Sequence, residues 1–417
     1  MFKNYFKIAW KVLLKKKLYT LSSLVGISLT LTVIIIGSSF YDFILKPNYP
    51  AYKQNNILIL NNVKLWGKTP NYNVSIWSAG YQLVDKYVKT LTTAEKVAVY
   101  TRDPTEVALY LDNGKKLDLH VKYTDGEFWD ILDFKFLDGR PYNKTEVQQA
   151  DNLVVINETL SRNIFGTTKN VAGKYLEIDK KNYRIAGVVK DVPSVRFNTY
   201  GNVWAPVTTS KMDLKSKQLT GPFSAMILSK SRKNFKAIQD EFQKNLTEVE
   251  FPNPDYQWNI KSSLYPFKES VIKAAYIIPE TGWFGFQVFI FIVLFLFMLL
   301  PLLNILNINS NRLFERFSEI GIRKSFGASK RIITGQFLFE NIIITLFSGG
   351  FAYVLAFILL KLIQHSYLIA DGNLYINLRT FFTSFLIMVV FGILSGAWPA
   401  YRFSRKQIVN ALNHKEL

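Results

Sequence analysis

Residues 18–41 read LYTLSSLVGISLTLTVIIIGSSFY, twenty-four consecutive positions without Asp, Glu, Lys or Arg. A helix needs about 20 such residues to cross roughly 30 Å of hydrocarbon. Three more windows share this property. Residues 281–311 contain FQVFIFIVLFLFMLLPLLNILNI, NIIITLFSGGFAYVLAFILL lies between Glu340 and Lys361, and TFFTSFLIMVVFGILSGAWPAY lies between Arg379 and Arg402. Core helices of soluble proteins are rarely charge-free over such lengths, and four in one chain are rarer still. The pattern predicts an α-helical membrane protein with four transmembrane helices, at 18–45, 281–308, 340–361 and 380–401.

The remaining sequence carries the charge. The formal net charge of +20 would suit nucleic acid or an acidic surface. No nucleic-acid-binding motif accompanies it, and short cytoplasmic segments of membrane proteins collect Lys and Arg, so nucleic acid is excluded as a partner. With no Cys, disulfides and thiolate metal sites are excluded. His120, His365 and His414 are far apart in sequence, which argues against a His-based metal centre.

Lys15, Lys16 and Lys17 before the first apolar run resemble the start of a secretory signal. That run exceeds the roughly 7–15 apolar residues of a signal peptide, and no A-x-A-like cleavage site follows it, so it is expected to stay attached as an anchor. Orientation follows from the short segments. Lys3, Lys7 and Lys11 join Lys15–Lys17 in 1–17. Arg312, Arg316, Arg323, Lys324, Lys330 and Arg331 fill 309–339, and Arg402, Arg405 and Lys406 lie in the tail, 402–417. The connection 362–379 has only Arg379. The positive-inside rule then puts both termini and 309–339 in the cytoplasm, with 362–379 as a short outer loop and 46–280 outside.

Segment 46–280 reads as an α+β domain. Apolar or alternating runs at Ile57–Leu60, Val107–Leu111, Leu117–Val121, Leu153–Ile156 and Tyr183–Val189 predict strands. Asp112-Asn113-Gly114 between two of them signals a hairpin turn. Asn157 is placed to cap a helix over Glu158–Phe165 that stops at Gly166. Phe235, Ile238, Phe242 and Leu246 share one helical face. The prolines of FPNPD break the chain before its return to the membrane. No catalytic or metal-ligand constellation stands out among the scattered acidic residues.

Two cytoplasmic segments are amphipathic. In 1–17, Phe2, Phe6, Ala9, Trp10, Leu13 and Leu14 share a face and lysines line the other side, which suits a helix lying on membrane lipid. In NSNRLFERFSEIGIRKSFGASKRIITGQFLFE, Leu313, Phe317 and Ile320 fall at helical spacing, Gly327 breaks the pattern, and Ser329 is placed to cap the next helix. Two readings of this segment stand: a helix that docks in a groove of a cytoplasmic partner and moves the spans on either side of it, or a connector resting on lipid.

At these residues the chain resembles the FtsX/MacB family of ABC permeases. ERFSEIGIRKSFGASKRIITGQFLFEN is similar to the family's loop between two spans, and SGAWPAYRFSRKQIVNAL to its closing signature. FWDILDFKFLDGRPYN, NLVVINETLSRNIFG and YRIAGVVKDVP resemble the MacB-type periplasmic core in the same order, although Ala172-Gly173-Lys174 replaces the usual Val-Gly-Lys. The resemblance implies an extracytoplasmic α+β domain of MacB periplasmic-core type in a bacterial inner membrane protein. It also implies that Glu315, Glu319, Ile320, Gly321, Ile322, Arg323, Lys324, Gly327, Ala328 and Ser329 couple the permease to a cytoplasmic ABC ATPase dimer. No G-x-x-x-x-G-K-[ST] occurs in these 417 residues, so ATP and Mg are expected in the partner ATPase, with no catalytic residue and no cofactor in this chain.

The function so implied is that of a permease subunit. It would couple ATP hydrolysis elsewhere to movements of the periplasmic domain that export a hydrophobic compound or peptide, or extract a lipoprotein. The alternative is an FtsX-like signalling device that controls an external partner, such as a cell-wall hydrolase, without transport; the size of 46–280 argues against it. A second permease copy or homologue, a periplasmic adaptor or substrate protein, and membrane lipid complete the implied partners. Gly392 and Gly396 form a small-xxx-small pair that would let two fourth spans approach closely.

Overall fold

The computed structural model describes residues 17–67, 75–110, 114, 116–252, 258–274 and 329–365, with scattered positions in 284–299, 322–327 and 374–393. The chain folds as two units, one of Met1–Phe43, Gln287–His365 and Asn373–Leu417, the other of Ile44–Phe286 and Ser366–Gly372.

In the first unit two long helices stand out, α1 (Lys17–Leu45) and, at the other end of the described chain, α8 (Lys330–His365). Both contain stretches long and apolar enough to cross a membrane, Thr20–Leu45 and Ile332–Gln364, and less than half of each apolar window is buried, 44% and 39%. Core helices would be mostly covered. Here Leu21, Val25, Leu29 and Val33 on α1, and Phe347, Phe351, Val354 and Leu362 on α8, are exposed. Two apolar faces of this size in water would be an aggregation liability; in lipid they are at home. Where the helices meet, Ile27 and Leu31 pack with Ile343, Ile344 and Ala352. Ser28 Oγ donates to Ser348 O at 3.1 Å, and Thr32 Oγ1 to Ala352 O at 3.3 Å. Small side chains and hydroxyl bonds are how helices associate when the hydrophobic effect no longer drives them together. Described positions in the other two charge-free windows, 287–293 and 381–387, are helical.

The second unit is built on one mixed sheet. Its strands are β1 (Ile57–Gly67), β2 (Ser75–Trp77), β3 (Lys96–Thr101), β4 (Thr105–Tyr110), β5 (Lys116–Thr124) and β6 (Phe136–Gly139). They continue with β7 (Leu153–Asn157), β8 (Tyr175–Ile178), β9 (Lys181–Val189), β10 (Val203–Pro206), β11 (Phe223–Leu228) and β12 (Trp258–Pro266). The order is β12-β1-β11-β3-β5-β10-β7-β9-β6, with β2 on β1, β4 on β5 and β8 on β9. The pairs β5/β10 and β7/β9 are parallel, and the rest are antiparallel. Short helices complete it: α2 (Tyr81–Tyr87), α3 (Glu127–Ile131), α4 (Lys144–Gln148), α5 (Glu158–Phe165), α6 (Phe235–Thr247) and α7 (Phe267–Ala274).

The sequence patterns explain the layers. LVVIN of β7 is buried at every position, as expected of a strand covered on both faces. In β5, Leu119 and Val121 enter a core with Val154, Ile156 and Ile185, while Lys122 and Thr124 face the other way. The larger core joins Ile57–Leu60, Val99, Phe128, Trp204 and Phe242. FWDILDFKFLDGRPYN supplies its aromatic centre, where the Trp129 ring lies 4.9 Å from Phe134, 5.4 Å from Tyr142 and 6.2 Å from Trp204. Gly139 in this motif has φ +64, and a Cβ there would collide with Ala186 O, so only glycine fits. Arg140 beside it grips Glu146 with two bonds of 2.9 and 2.6 Å, and Glu146 and Asn143 form the capping box of α4.

The five predicted strands fall in β1, β4, β5, β7 and β9, with Leu111 at the end of the second outside the described residues. Strands β4 and β5 pair antiparallel; Asp112 and Asn113 of their turn lie outside the described residues. Helix α5 starts where Asn157 Oδ1 accepts from Leu160 N at 2.9 Å and ends at Gly166, φ +71. Phe235, Ile238, Phe242 and Leu246 are all buried on α6. After FPNPD and still within 46–280, α7 is preceded by β12, which pairs with β1 across one bulge. The NIKSS stretch of β12 is too polar to read as a buried strand, yet the ladder to β1 satisfies its backbone.

Candidate functional site

Of the ten positions proposed for coupling, Ile322, Gly327 and Ser329 are described. Glu315, Glu319, Ile320, Gly321, Arg323, Lys324 and Ala328 lie outside the described residues. Ile322 is helical, and Phe326 N donates to its carbonyl at 3.2 Å. The two side chains are therefore one turn apart on the same face. Both are exposed, Ile322 at 51% and Phe326 at 88%. The helical turn stops at Gly327, whose φ of +86 is a left-handed conformation that ends helices. Nothing lies within 4 Å of a Cβ built there, so conformation rather than crowding demands the glycine. Ser329 starts α8: its carbonyl accepts from Ile332 N at 3.1 Å and Ile333 N at 3.3 Å, and its Oγ lies 3.4 Å from Ile332 N.

The geometry is thus a helical turn, a glycine elbow, and a capped helix of 36 residues that runs without a break through the apolar stretch. Near its start Gln336 and Glu340 are buried and hydrogen-bonded at 3.1 Å. Sequence reading placed the elbow and the cap but passed over Phe326. Its signal was a bulky apolar residue immediately before a helix-ending glycine, one turn beyond Ile322.

The second unit contains a cleft of about 670 Å³ between α2, β3, α3 and α4. Six of its charged residues pair with one another: Lys89 with Asp125 at 3.1 Å, Lys96 with Asp130 at 2.7 Å, and Lys144 with Glu127 at 3.2 Å. Burial pushes the Asp125 carboxyl up to about 7 against the pull of Lys89. The described residues hold no group of three or more His, Asp or Glu placed to bind a metal ion.

The described chain thus combines a unit of long apolar helices, one of them begun at a glycine elbow, with a large mixed-sheet unit. The comparisons with known proteins agree. Residues 18–245 match the family described as MacB-like periplasmic core domain, and residues 291–408 the family described as FtsX-like permease C-terminal. The chain belongs to the FtsX/MacB-like permeases of ABC transporters. It is 22% identical over 422 residues to the macrolide export ATP-binding/permease protein MacB of Salmonella typhi, covering 99% of this chain and 60% of the relative. The corresponding protein of Burkholderia lata is 22% identical over 411 residues, covering 97% and 56%. The chain therefore spans about three fifths of the length of these curated relatives. Among solved structures, the periplasmic region of MacB from Actinobacillus actinomycetemcomitans aligns with a TM-score of 0.34 and 17% identity, covering 52% of this chain and 94% of that one.

Proposed function

We propose that this chain is the transmembrane subunit of an ABC machine in which a separate cytoplasmic ATPase, holding ATP and Mg, moves the mixed-sheet domain to export or extract a substrate outside the inner membrane. The carrying observation is the elbow at Gly327, where an exposed apolar turn is joined to one unbroken helix through the apolar stretch. A helix is stiff along its axis, so a push on the turn at Ile322 and Phe326 travels along α8 rather than being absorbed in a loop. Membership of the permease family supports the reading, as does the name ATP-binding/permease carried by the relatives. In this reading four spans cross the membrane, both termini and 309–339 are cytoplasmic, two permeases pair, and Glu315–Ser329 dock on the ATPase. The charges there set register and encounter more than affinity.

The test replaces apolar contacts with carboxylates, which an apolar groove penalises strongly and water does not. Ile320→Asp with Ile322→Asp, and Phe326→Asp alone, should leave the chain inserted. Each should release the co-expressed ATPase on purification or abolish its stimulation. Normal ATPase recruitment and activity in both would reduce this segment to a connector on the lipid surface.

A further inference from the structure

The mixed-sheet unit receives the chain at the end of α1 and releases it after α7, and one loop touches both places. Helix α1 ends at Leu45, so its last carbonyls have no partner within the helix. Leu45 O accepts from Gln54 Nε2 at 2.7 Å, and Gln54, 1% exposed, opens the 3-10 turn Gln54–Asn56 that leads directly into β1. Lys46 O accepts from Arg196 Nη2 at 3.1 Å. Arg196 lies in the loop between β9 and β10 and is 5% exposed. Its backbone is fixed: its N–H donates to Pro193 O at 2.9 Å, and its carbonyl accepts from Thr199 N and Tyr200 N, each at 2.8 Å.

Two residues further along, Asn198 reaches the outgoing segment. Its Nδ2 donates to Ser270 Oγ on α7 at 3.3 Å, and its Oδ1 accepts from the Tyr100 hydroxyl on β3 at 3.1 Å. That hydroxyl lies 3.1 Å from Ser224 Oγ on β11, whose single proton is shared between it and Leu60 O on β1. Asn198, Tyr100, Ser224 and Ser270 are all buried. Buried polar contacts of this kind, in a low-dielectric interior, are stiff and costly to break. Apolar packing closes the same corner: Ile44, Val195, Phe197, Phe267 and Val271 line a gap of about 10 Å³, the lower limit for a single water.

We propose that residues 193–200 form a yoke: Arg196 holds the incoming chain at Lys46, directly after α1, Asn198 holds the outgoing helix α7, and through Tyr100 and Ser224 the pair deliver any displacement of either segment to β3, β11 and β1 as one movement. Arg196 and Asn198 are positioning residues in this scheme, which rests on the mechanical reading above. A tether to only one segment would let the other slip. Bonds from one eight-residue loop to both make their displacement common.

The test uses the full chain in complex with the ATPase that co-purifies with it, and MgATP as the probe. A dye on Tyr175→Cys, an exposed position of β8 in a chain otherwise without cysteine, reports movement of the unit. On the otherwise unaltered background MgATP should change the dye's emission. Arg196→Met should cut that change by about fivefold or more, the range of an ordinary coupling between sites, while ATP hydrolysis by the complex and thermal unfolding of the chain stay near the parent values. Arg196→Lys, which retains a donor for Lys46 O, should recover most of the signal. Ser270→Ala removes the outgoing link with little change of volume, and it decides the matter if Arg196→Met does not fold. If the unaltered background shows no response to MgATP, the mechanical reading itself fails. If it responds and Arg196→Met and Ser270→Ala respond equally well, the yoke is wrong while the mechanical reading survives.

Discussion

Lys122 occupies the weakest line of the sheet. Strands β3 and β5 share a single registered pair, Tyr100 with Thr124, and side chains complete the seam. Lys122 is fully buried on β5 and its Nζ donates to Thr101 O and Arg102 O, both at 2.9 Å, while lying 5.3 Å over the Tyr100 ring. Burial pulls its ammonium down to about 7, with Asp103 opposing weakly. An unfolded lysine titrates near 10.4, so between about pH 7 and 10 the unfolded chain holds this proton more firmly than the folded one. Stability from this group therefore rises with pH across that window, and below about pH 7 the full cost of burying the charge is present. Lys122→Met should flatten the rise. Denaturant melts of the detergent-solubilised chain at about pH 7 and about pH 9.5, followed by tryptophan emission, would show it. Equal increments in parent and variant would mean that Lys122 keeps its ordinary affinity for protons. Asp125 works in the opposite sense. Its raised carboxyl costs stability as pH climbs from about 4 to about 7, so the two groups can be told apart by window.

At the scale of elements, helix α5 is the case where local chemistry decides the outcome. Asn157 closes β7 and opens α5 with one side-chain bond to Leu160 N, and Gly166 ends the helix in a left-handed turn. Asn157→Ala should cost about 0.5–2 kcal/mol, the usual value of a cap, read as a lowered melting midpoint with an unchanged denaturant slope. No change would mean that packing of Leu160 alone fixes the helix start. Such elements were legible because a cap, a stop and a periodic face are all written within ten residues. A periodic face alone marks α6, alternation marks the hairpin strands β4 and β5, and a glycine followed by a capping serine marks the elbow at Gly327. Strands β10, β11 and β12 were not legible. VWAP is four residues long, FSAMIL has no alternation because both its faces are covered, and NIKSS looks like a loop. Each becomes a strand only because its neighbours supply the ladder, which is tertiary information. The yoke was equally hidden, since Arg196 and Asn198 gain their meaning from Lys46 and Ser270, some 150 and 72 residues away in sequence.

For the whole molecule, orientation is the property on which every functional consequence depends, and it rests on charge rather than on packing. Lys and Arg crowd the segments 1–17, 309–339 and 402–417, whereas 362–379 has almost none. Long domains translocate whatever their charge, so the lysines of the mixed-sheet unit do not vote. The absence of cysteine makes the prediction direct to test, because any single Cys is the sole thiol. Tyr175→Cys, on an exposed edge of the sheet, should react with a membrane-impermeant maleimide in intact cells. Ser325→Cys, exposed beside the elbow, should react only after the membrane is permeabilised. Both sites are solvent-facing, so a difference in labelling reads the side of the membrane and not burial. The reverse pattern would put the elbow outside, away from any nucleotide, and a lever there could not be driven by ATP. Equal labelling of both in intact cells would place the two on the same face, which an odd number of crossings between them forbids. The pair of variants therefore tests the parity of spans between residues 175 and 325 together with the orientation. That parity requires the window 281–308 to cross the membrane, as the proposed topology has it.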